Sequence, residues 1–348
     1  MRFVRKYTAD KGVFGGVRFV ERTSTIKETA GGGATVTVTA PEQWSQTAVD
    51  ILVQKYFRRA GVPSSRVLVD EDGLPVWLRR SVPASDAVYG GETDARQTFH
   101  RIAGCWTYWG WKLGYFSFEE DAKVYYDEMA AVLALQVAAP ASPQWFTTGL
   151  FWAYGIEGPQ QGQWAIQAIS GSDKAYYEVG PCRNAYERPQ SSACFLNPVS
   201  DTLLEYGGIM DLATREARIF KYGSGSGVNI SPVRGKDEPL AGGGRSSGTM
   251  SWLRGLDAFA GAIKSGGTLR RAAKMVIMDV DHPDIEDFVA WKPREEDKVA
   301  AMHVGMACLR KHATAMLEAF GKPEFAKAAS AARSEEHTSE LQSPMFIS

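Results

Sequence analysis

An α/β fold is predicted for this chain of 348 residues. The first observation is a nearly continuous apolar run, Lys274 to Val280, which suits a strand buried on both faces in a parallel sheet. The second is the pattern around it. Ser251 to Ser265 places Trp252, Leu256, Phe259, Ala260 and Ile263 at helical spacing, and Asp281-His-Pro283 turns into a short helix over residues 284–291. Helix, strand and helix in that order are the signature of α/β architecture.

The elements before this block are read in chain order. Ala-Thr-Val-Thr-Val-Thr after Gly33 alternates as a strand does. Pro41 opens a predicted helix through Trp44, Ala48, Ile51, Leu52 and Tyr56 that stops at Gly61. Residues 62–98 read as loop-rich. Phe99 to Tyr115 is a helix whose Trp106, Trp109 and Trp111 could stack on bases but read better as core packing. Ser117-Phe-Glu-Glu120 has the form of a capping box launching a long helix that Pro140 ends. Gly207 and Gly208 precede a helix with Ile209, Leu212, Ala213, Ala217 and Phe220 on one face.

Composition narrows the function. A net charge of −1 predicts no polyanionic partner, so nucleic-acid binding by bulk charge is not expected. No apolar segment follows the basic start, and no run approaches ~18 apolar residues, so neither a signal peptide nor a membrane span is expected and the compartment reads as cytoplasmic. The four cysteines, Cys105, Cys182, Cys194 and Cys308, form no CxxC pair and suggest no metal site.

Three glycine-rich turns, at Gly223 to Gly227, Gly242 to Gly248 and Gly266 to Gly267, lie among Arg234, Arg245, Arg270, Arg271 and Lys274. Backbone N–H groups and guanidinium groups together suit phosphate, so a nucleotide or sugar-phosphate site is expected. Neither a Walker A loop nor a dinucleotide fingerprint is present, since Val228 stands where the last glycine of the latter belongs. His282 beside Pro283 reads as a turn histidine.

Longer motifs succeed one another along the chain: Ser142-Pro-Gln-Trp-Phe, Pro189-Gln-Ser-Ser-Ala-Cys194-Phe, Lys221-Tyr-Gly-Ser-Gly-Ser-Gly, Leu240-Ala-Gly-Gly-Gly-Arg-Ser-Ser-Gly, Ile263-Lys-Ser-Gly-Gly-Thr-Leu-Arg-Arg, and Asp279-Val-Asp-His-Pro-Asp. From about Pro41 to Gly305 the whole resembles the class II, adenosylcobalamin-dependent ribonucleotide reductases. The resemblance implies a ribonucleoside-diphosphate reductase that makes 2′-deoxyribonucleotides for DNA synthesis through a cobalamin-generated thiyl radical. It implies a helical N-terminal region, residues 1–140, followed in residues 141–332 by the first half of a ten-stranded α/β barrel. Cys194 would be one of two reducing cysteines. Ser142, Ala193, Gly223 and Ser224, with Cys194, would line the ribonucleotide substrate. Asp201, Arg234, Arg270 and Arg271 would serve deoxynucleotide effectors. A thioredoxin-type dithiol would restore Cys194, and the intact enzyme would be a homodimer.

The sequence also departs from the family. It has no N-x-C-x-E motif, so the radical cysteine and catalytic glutamate are not found, and Cys308 lacks their neighbours. Residues 333–343, RSEEHTSELQS, resemble a translated sequencing adapter, so residues 333–348 are set aside and the native chain is expected to continue beyond Ala332. On that reading this stretch is inactive alone. The competing reading is a noncatalytic nucleotide-sensing module that regulates a partner.

Overall fold

The alternating Thr-Val segment forms a strand, β2 (Gly33–Pro41), which pairs antiparallel with β1 (Phe19–Lys27) from Phe19↔Pro41 to Lys27↔Gly33. Val38 and Ala40 turn inward to a core with Trp44, Val49 and Phe99. The computed structural model describes residues 1–9, 11–27, 33–160, 162–169, 176–263 and 272–319. They fall into two compact units, divided between Ala193 and Cys194.

In the first unit the helix predicted from Pro41 begins later. Pro41 ends β2, Ser45 caps α1 (Gln46–Ile51) by accepting the Ala48 N–H at 3.2 Å, and a π-helical turn over Leu52–Tyr56 completes the segment. Helix α2 (Ala95–Lys112) starts from a capping box of Asp94 and Gln97. Its tryptophans pack as structure: the Trp106 Nε1–H donates to Gln144 and that of Trp111 to the Gly73 carbonyl. The box expected at Ser117 is not formed. Phe118 is the N-cap of α3 (Glu119–Ala134), and the Ser117 hydroxyl accepts from the N-terminal ammonium instead. Glu119, Glu120 and Asp121 suit the positive end of the helix dipole. The helix stops well before Pro140, with Gln136 in the left-handed region at φ 56°.

Residues 62–98 supply short paired strands, β3 (Val62–Pro63) with β6 (Tyr89–Gly90) and β4 (Arg66–Leu68) with β5 (Ser81–Pro83). Helices α4 (Ser142–Thr147) and α5 (Leu150–Tyr154) pack on α2 within this unit. The fastening is a fully buried guanidinium. Arg101 donates to Glu92 at 2.7 Å, to the Thr148 carbonyl at 2.8 Å and to the Trp145 carbonyl at 2.7 Å. Hence residues 141–154, which the sequence grouped with the barrel, pack structurally with the helical N-terminal region. A hairpin, β7 (Trp164–Ile169) with β8 (Tyr176–Pro181), completes the described part of this unit.

The second unit holds a parallel sheet in the order β13-β10-β9, formed by β9 (Cys194–Leu196), β10 (Gly225–Asn229) and β13 (Lys274–Ile277). Helices α6 (Ile209–Lys221) and α7 (Thr249–Ala262) belong to the same unit and pack on each other. The glycine-rich turn expected over residues 223–227 is a turn only at its start. Gly223 has φ 83°, and Gly225 onward is the central strand. A Cβ on Gly227 would sit 3.0 Å from Leu196 Cδ2, so the small residue permits close strand packing. Strand β13 alternates: Lys274 and Val276 are buried but Ile277 is exposed, so it is covered on one face rather than two.

A hairpin of β11 (Lys236–Pro239) and β12 (Arg245–Ser247) leads into α7. The last helix, α8 (Ile285–Ala319), far outruns the short helix predicted, although only Phe288 and Trp291 of its first turns are buried. No helix among the described residues is long and apolar enough to cross a membrane.

Candidate functional site

The candidate residues of the second unit sort to the two ends of one sheet. Cys194 is the first residue of β9 and is exposed. Its Cα partner is Gly225 of β10, so Gly223 and Ser224, which lead into that strand, lie at the same edge. Gly223 is held by its N–H to the Phe220 carbonyl, and Ser224 is buried against the end of α6 with its N–H on the Ile219 carbonyl. Asp201 and Arg234 come after the opposite, C-terminal ends of β9 and β10. Five strand residues span about 16 Å, which separates the two groups.

Asp201 and Arg234 meet each other. The Arg234 Nε–H donates to Asp201 Oδ2 at 2.5 Å, and its backbone N–H donates to Oδ1 at 3.3 Å. Both side chains are about a third exposed, so the pair remains open to a third group. Close by in the chain, Arg245 donates to the Asp237 carbonyl at 2.8 Å, closing the β11–β12 hairpin. Asp284 anchors that hairpin to α7. It accepts the Lys236 N–H at 2.9 Å, the Thr249 N–H at 2.8 Å and the Thr249 hydroxyl at 2.7 Å. Burial works to raise the Asp284 pKa, but these donors and the nearby His282 outweigh it and hold the carboxyl below its ordinary range. His282 is a turn residue, with Nε2 at 2.8 Å from the Val233 carbonyl and Nδ1 accepting the Asp284 N–H.

Lys274, grouped by sequence with the phosphate-facing cations, is spent internally. Its ammonium donates to Glu216 Oε2 at 2.8 Å, with both side chains 3% exposed. Ser226 donates to the other Glu216 oxygen at 2.9 Å, and Asn197 donates to Ser226 at 2.9 Å. Burial pulls the Lys274 pKa below its ordinary value, and Glu216 restrains the fall. This chain of contacts ties α6, β13 and β10 to the residue after β9. Sequence reasoning misses it, although the signal is there: Glu216 falls among Leu212, Ala213 and Phe220 on the apolar face of α6.

Ser142 is the first helical residue of α4 in the first unit, after the N-cap Ala141. Ala193 is exposed at the end of that unit. Arg270 and Arg271 lie outside the described residues, as do the Gly266 turn and residues 333–348. Cys105 and Cys182 are buried, and burial pushes both thiols up, away from reactive thiolates. One further motif escapes the sequence reasoning: Gly244-Arg-Ser-Ser-Gly248 spells G-x-S-x-G. Ser246 lies in an antiparallel hairpin and accepts the Gly248 N–H, and no histidine bonds to it among the described residues, so it lacks a general base.

Cys194 is thus an exposed thiol at the start of a parallel strand, in register with Gly225 and beside the Gly223–Ser224 entry to the neighbouring strand. Comparison with known proteins gives the family. Residues 20–136 match the family model described as class II vitamin B12-dependent ribonucleotide reductase, and residues 192–316 match the ribonucleotide reductase barrel domain. Vitamin B12-dependent ribonucleotide reductases of Bradyrhizobium diazoefficiens and Agrobacterium fabrum are each 50% identical over 330 residues, 92% of this chain and 26% of theirs. That of Rhodopirellula baltica is 34% identical over 307 residues, 87% of this chain and 26% of its own. Among solved structures, the α subunit of the class Id ribonucleotide reductase of Actinobacillus ureae gives a TM-score of 0.34 at 17% identity, covering 55% of this chain and 26% of its own, a likeness too slight to argue from. The chain belongs to the class II, vitamin B12-dependent ribonucleotide reductases. It spans about a quarter of the length of these curated relatives.

Membership implies adenosylcobalamin as the cofactor. A cavity of about 240 Å³ in the first unit is smaller than the ~300–1,000 Å³ typical of drug-sized ligands and does not fit a corrin. No group of three or more His, Cys, Asp or Glu side chains converges to hold a metal ion among the described residues.

Proposed function

We propose that this chain forms the N-terminal part of an enzyme that reduces ribonucleoside diphosphates to 2′-deoxyribonucleoside diphosphates, with Cys194 as one of its two reducing thiols. The position of Cys194 supports this most directly. It is exposed, stands at the first residue of β9, and is in register with Gly225. Small residues at Gly223 and Gly225 allow a ribose and its phosphates to approach the backbone closely. In the reaction the substrate C2′–O bond breaks and the hydroxyl leaves as water. Two electrons and two protons come from a dithiol, Cys194 and a second cysteine, which becomes a disulfide; one proton departs with the hydroxyl as water and the other, with the electron pair, forms the new C2′–H bond. An external thioredoxin-type dithiol then exchanges with that disulfide. Ser142 and Ala193 are proposed to touch the same substrate, and Ser224 to do so from the loop before β10.

The diphosphate assignment is the finer part of the proposal. It leans on more distant relatives, named vitamin B12-dependent ribonucleoside-diphosphate reductases, that match 34% and 29% of this chain. Asp201 and Arg234 are proposed to hold an effector deoxynucleotide, the carboxylate taking a ribose hydroxyl and the guanidinium a phosphate oxygen. Arg270 and Arg271 are proposed to join them. The protein is proposed to be cytoplasmic and to act as a homodimer when intact.

The test is a chimera in which this chain replaces the matching 330 residues of the Bradyrhizobium enzyme. With adenosylcobalamin and a dithiol it should reduce CDP in preference to CTP, and Cys194→Ser should abolish dithiol-supported turnover. Equal turnover by the Cys194→Ser chimera would overturn the assignment of Cys194, and preference for CTP would overturn the diphosphate assignment.

A further inference from the structure

The first unit contains a cavity that the nucleotide reading leaves unused. Its volume is about 240 Å³, and its walls include the indoles of Trp77 and Trp152 and the ring of His100. His100 and Trp152 have ring centroids 5.1 Å apart, and Tyr126 closes the aromatic group, 5.9 Å from Trp77 and 5.8 Å from His100. Such walls favour a flat, apolar body.

Two of the cavity's polar side chains, His100 and Arg66, keep donor capacity. His100 Nδ1 lies 2.7 Å from the Tyr126 hydroxyl. With that hydroxyl donating, the ring proton resides on Nε2, which has no protein partner among the described residues. Burial, and then the charge of Arg66, push the His100 pKa down to about 4, so at neutral pH the ring donates a hydrogen bond without adding charge. Arg66 donates one N–H to the Ala153 carbonyl at 2.9 Å and lies over the Tyr154 ring. No carboxylate lies within salt-bridge distance of Arg66 among the described residues, whereas Arg79 is paired with Asp70 at 2.6 Å.

Arg66 is exposed, so an incoming anion can reach a guanidinium that no carboxylate pairs among the described residues. At about 240 Å³ the cavity lies just below the ~300–1,000 Å³ of typical ligand pockets, which agrees with a small molecule. We infer that this cavity binds a small planar monoanion, an aromatic or heteroaromatic carboxylate, with its oxygens between Arg66 and His100 Nε2–H and its ring against Trp77 and Trp152. The site is independent of the reductase reading and stands or falls separately from it.

Benzoate is a suitable probe, titrated calorimetrically into the 348-residue chain at neutral pH, with inorganic phosphate as comparison. The inference expects saturable binding of one benzoate per chain, at least tenfold weaker binding by Arg66→Gln, and weaker binding of phosphate. Because Arg66→Gln also removes the bond to Ala153, a second readout uses the unmodified protein. The His100 Cε1–H resonance, assigned by its loss in His100→Gln, should shift in step with benzoate saturation. No saturable benzoate binding, binding that leaves the His100 resonance unmoved, or phosphate binding as tightly as benzoate would each overturn the inference.

Discussion

Removing one member of the Lys274–Glu216 pair should loosen the sheet that carries Cys194. The two groups are 2.8 Å apart with side chains 3% exposed, so the partner left behind is shut off from water, Lys274 keeping among the described residues only the weaker attraction of Asp257 and Glu216 only the Ser226 hydroxyl. Breaking such a buried pair costs about 3–5 kcal/mol. Glu216→Gln and Lys274→Met are each expected to fall in that range. The double variant Glu216→Leu/Lys274→Met removes both charges, and apolar replacement of a buried pair is often neutral or stabilising by ~1–4 kcal/mol. Against that stands the Ser226 hydroxyl, which loses its acceptor on Glu216 at a cost of about 1–3 kcal/mol. The two nearly cancel, so the double variant should lie within ~2 kcal/mol of the parent. Because a chain of two units need not unfold in one step, local hydrogen exchange is the appropriate assay. The Ser226 and Ile230 amides, bonded to the Ala273 and Ile277 carbonyls at 2.9 Å, report on the β10–β13 pairing. A loss of protection below ~1 kcal/mol in either single variant, or a double variant worse than both singles, would refute the reasoning.

Three further outcomes are expected. Asp284→Asn should cost about 1.5–3 kcal/mol through weakened bonds to Lys236 and Thr249. Since the folded pKa is depressed, that contribution is complete above the ordinary value of 3.8 and is lost as pH falls below it through the folded pKa; urea titrations at neutral and acid pH should show the gap closing. Gly104→Ala should destabilise α2 although alanine favours helix by ~1 kcal/mol, because its Cβ would overlap the Trp152 ring and overpacking costs about 1–3 kcal/mol; a raised melting temperature would contradict this. Asp201→Asn should change stability by no more than ~1 kcal/mol, as a partly exposed pair, yet weaken dATP binding at least tenfold in equilibrium dialysis; unchanged binding would remove Asp201 from the effector site.

Local pattern makes the α/β class and most helices legible. The apolar face of α6 and the strand at Lys274 are both evident in kind from the sequence. Pattern cannot supply partnership across the chain. The glycines after Gly223 look like a turn because a missing side chain suggests backbone freedom, whereas β10 uses it for close packing against Leu196. Lys274 looks like a phosphate ligand because its acid lies 58 residues away on α6. Ser117 satisfies a capping rule, but the N-terminal ammonium, remote in sequence, takes its hydroxyl. The Asp201–Arg234 contact is the favourable case, since each residue stands out separately and the fold joins them.

The most direct test concerns Cys194. The chimeric reductase, prereduced and freed of external dithiol, would be given CDP and adenosylcobalamin for a single turnover, quenched with an alkylating agent, and digested for peptide mass mapping. The account predicts a disulfide that includes Cys194, in amount equal to the dCDP formed. Recovery of dCDP with Cys194 alkylated as a free thiol would contradict it.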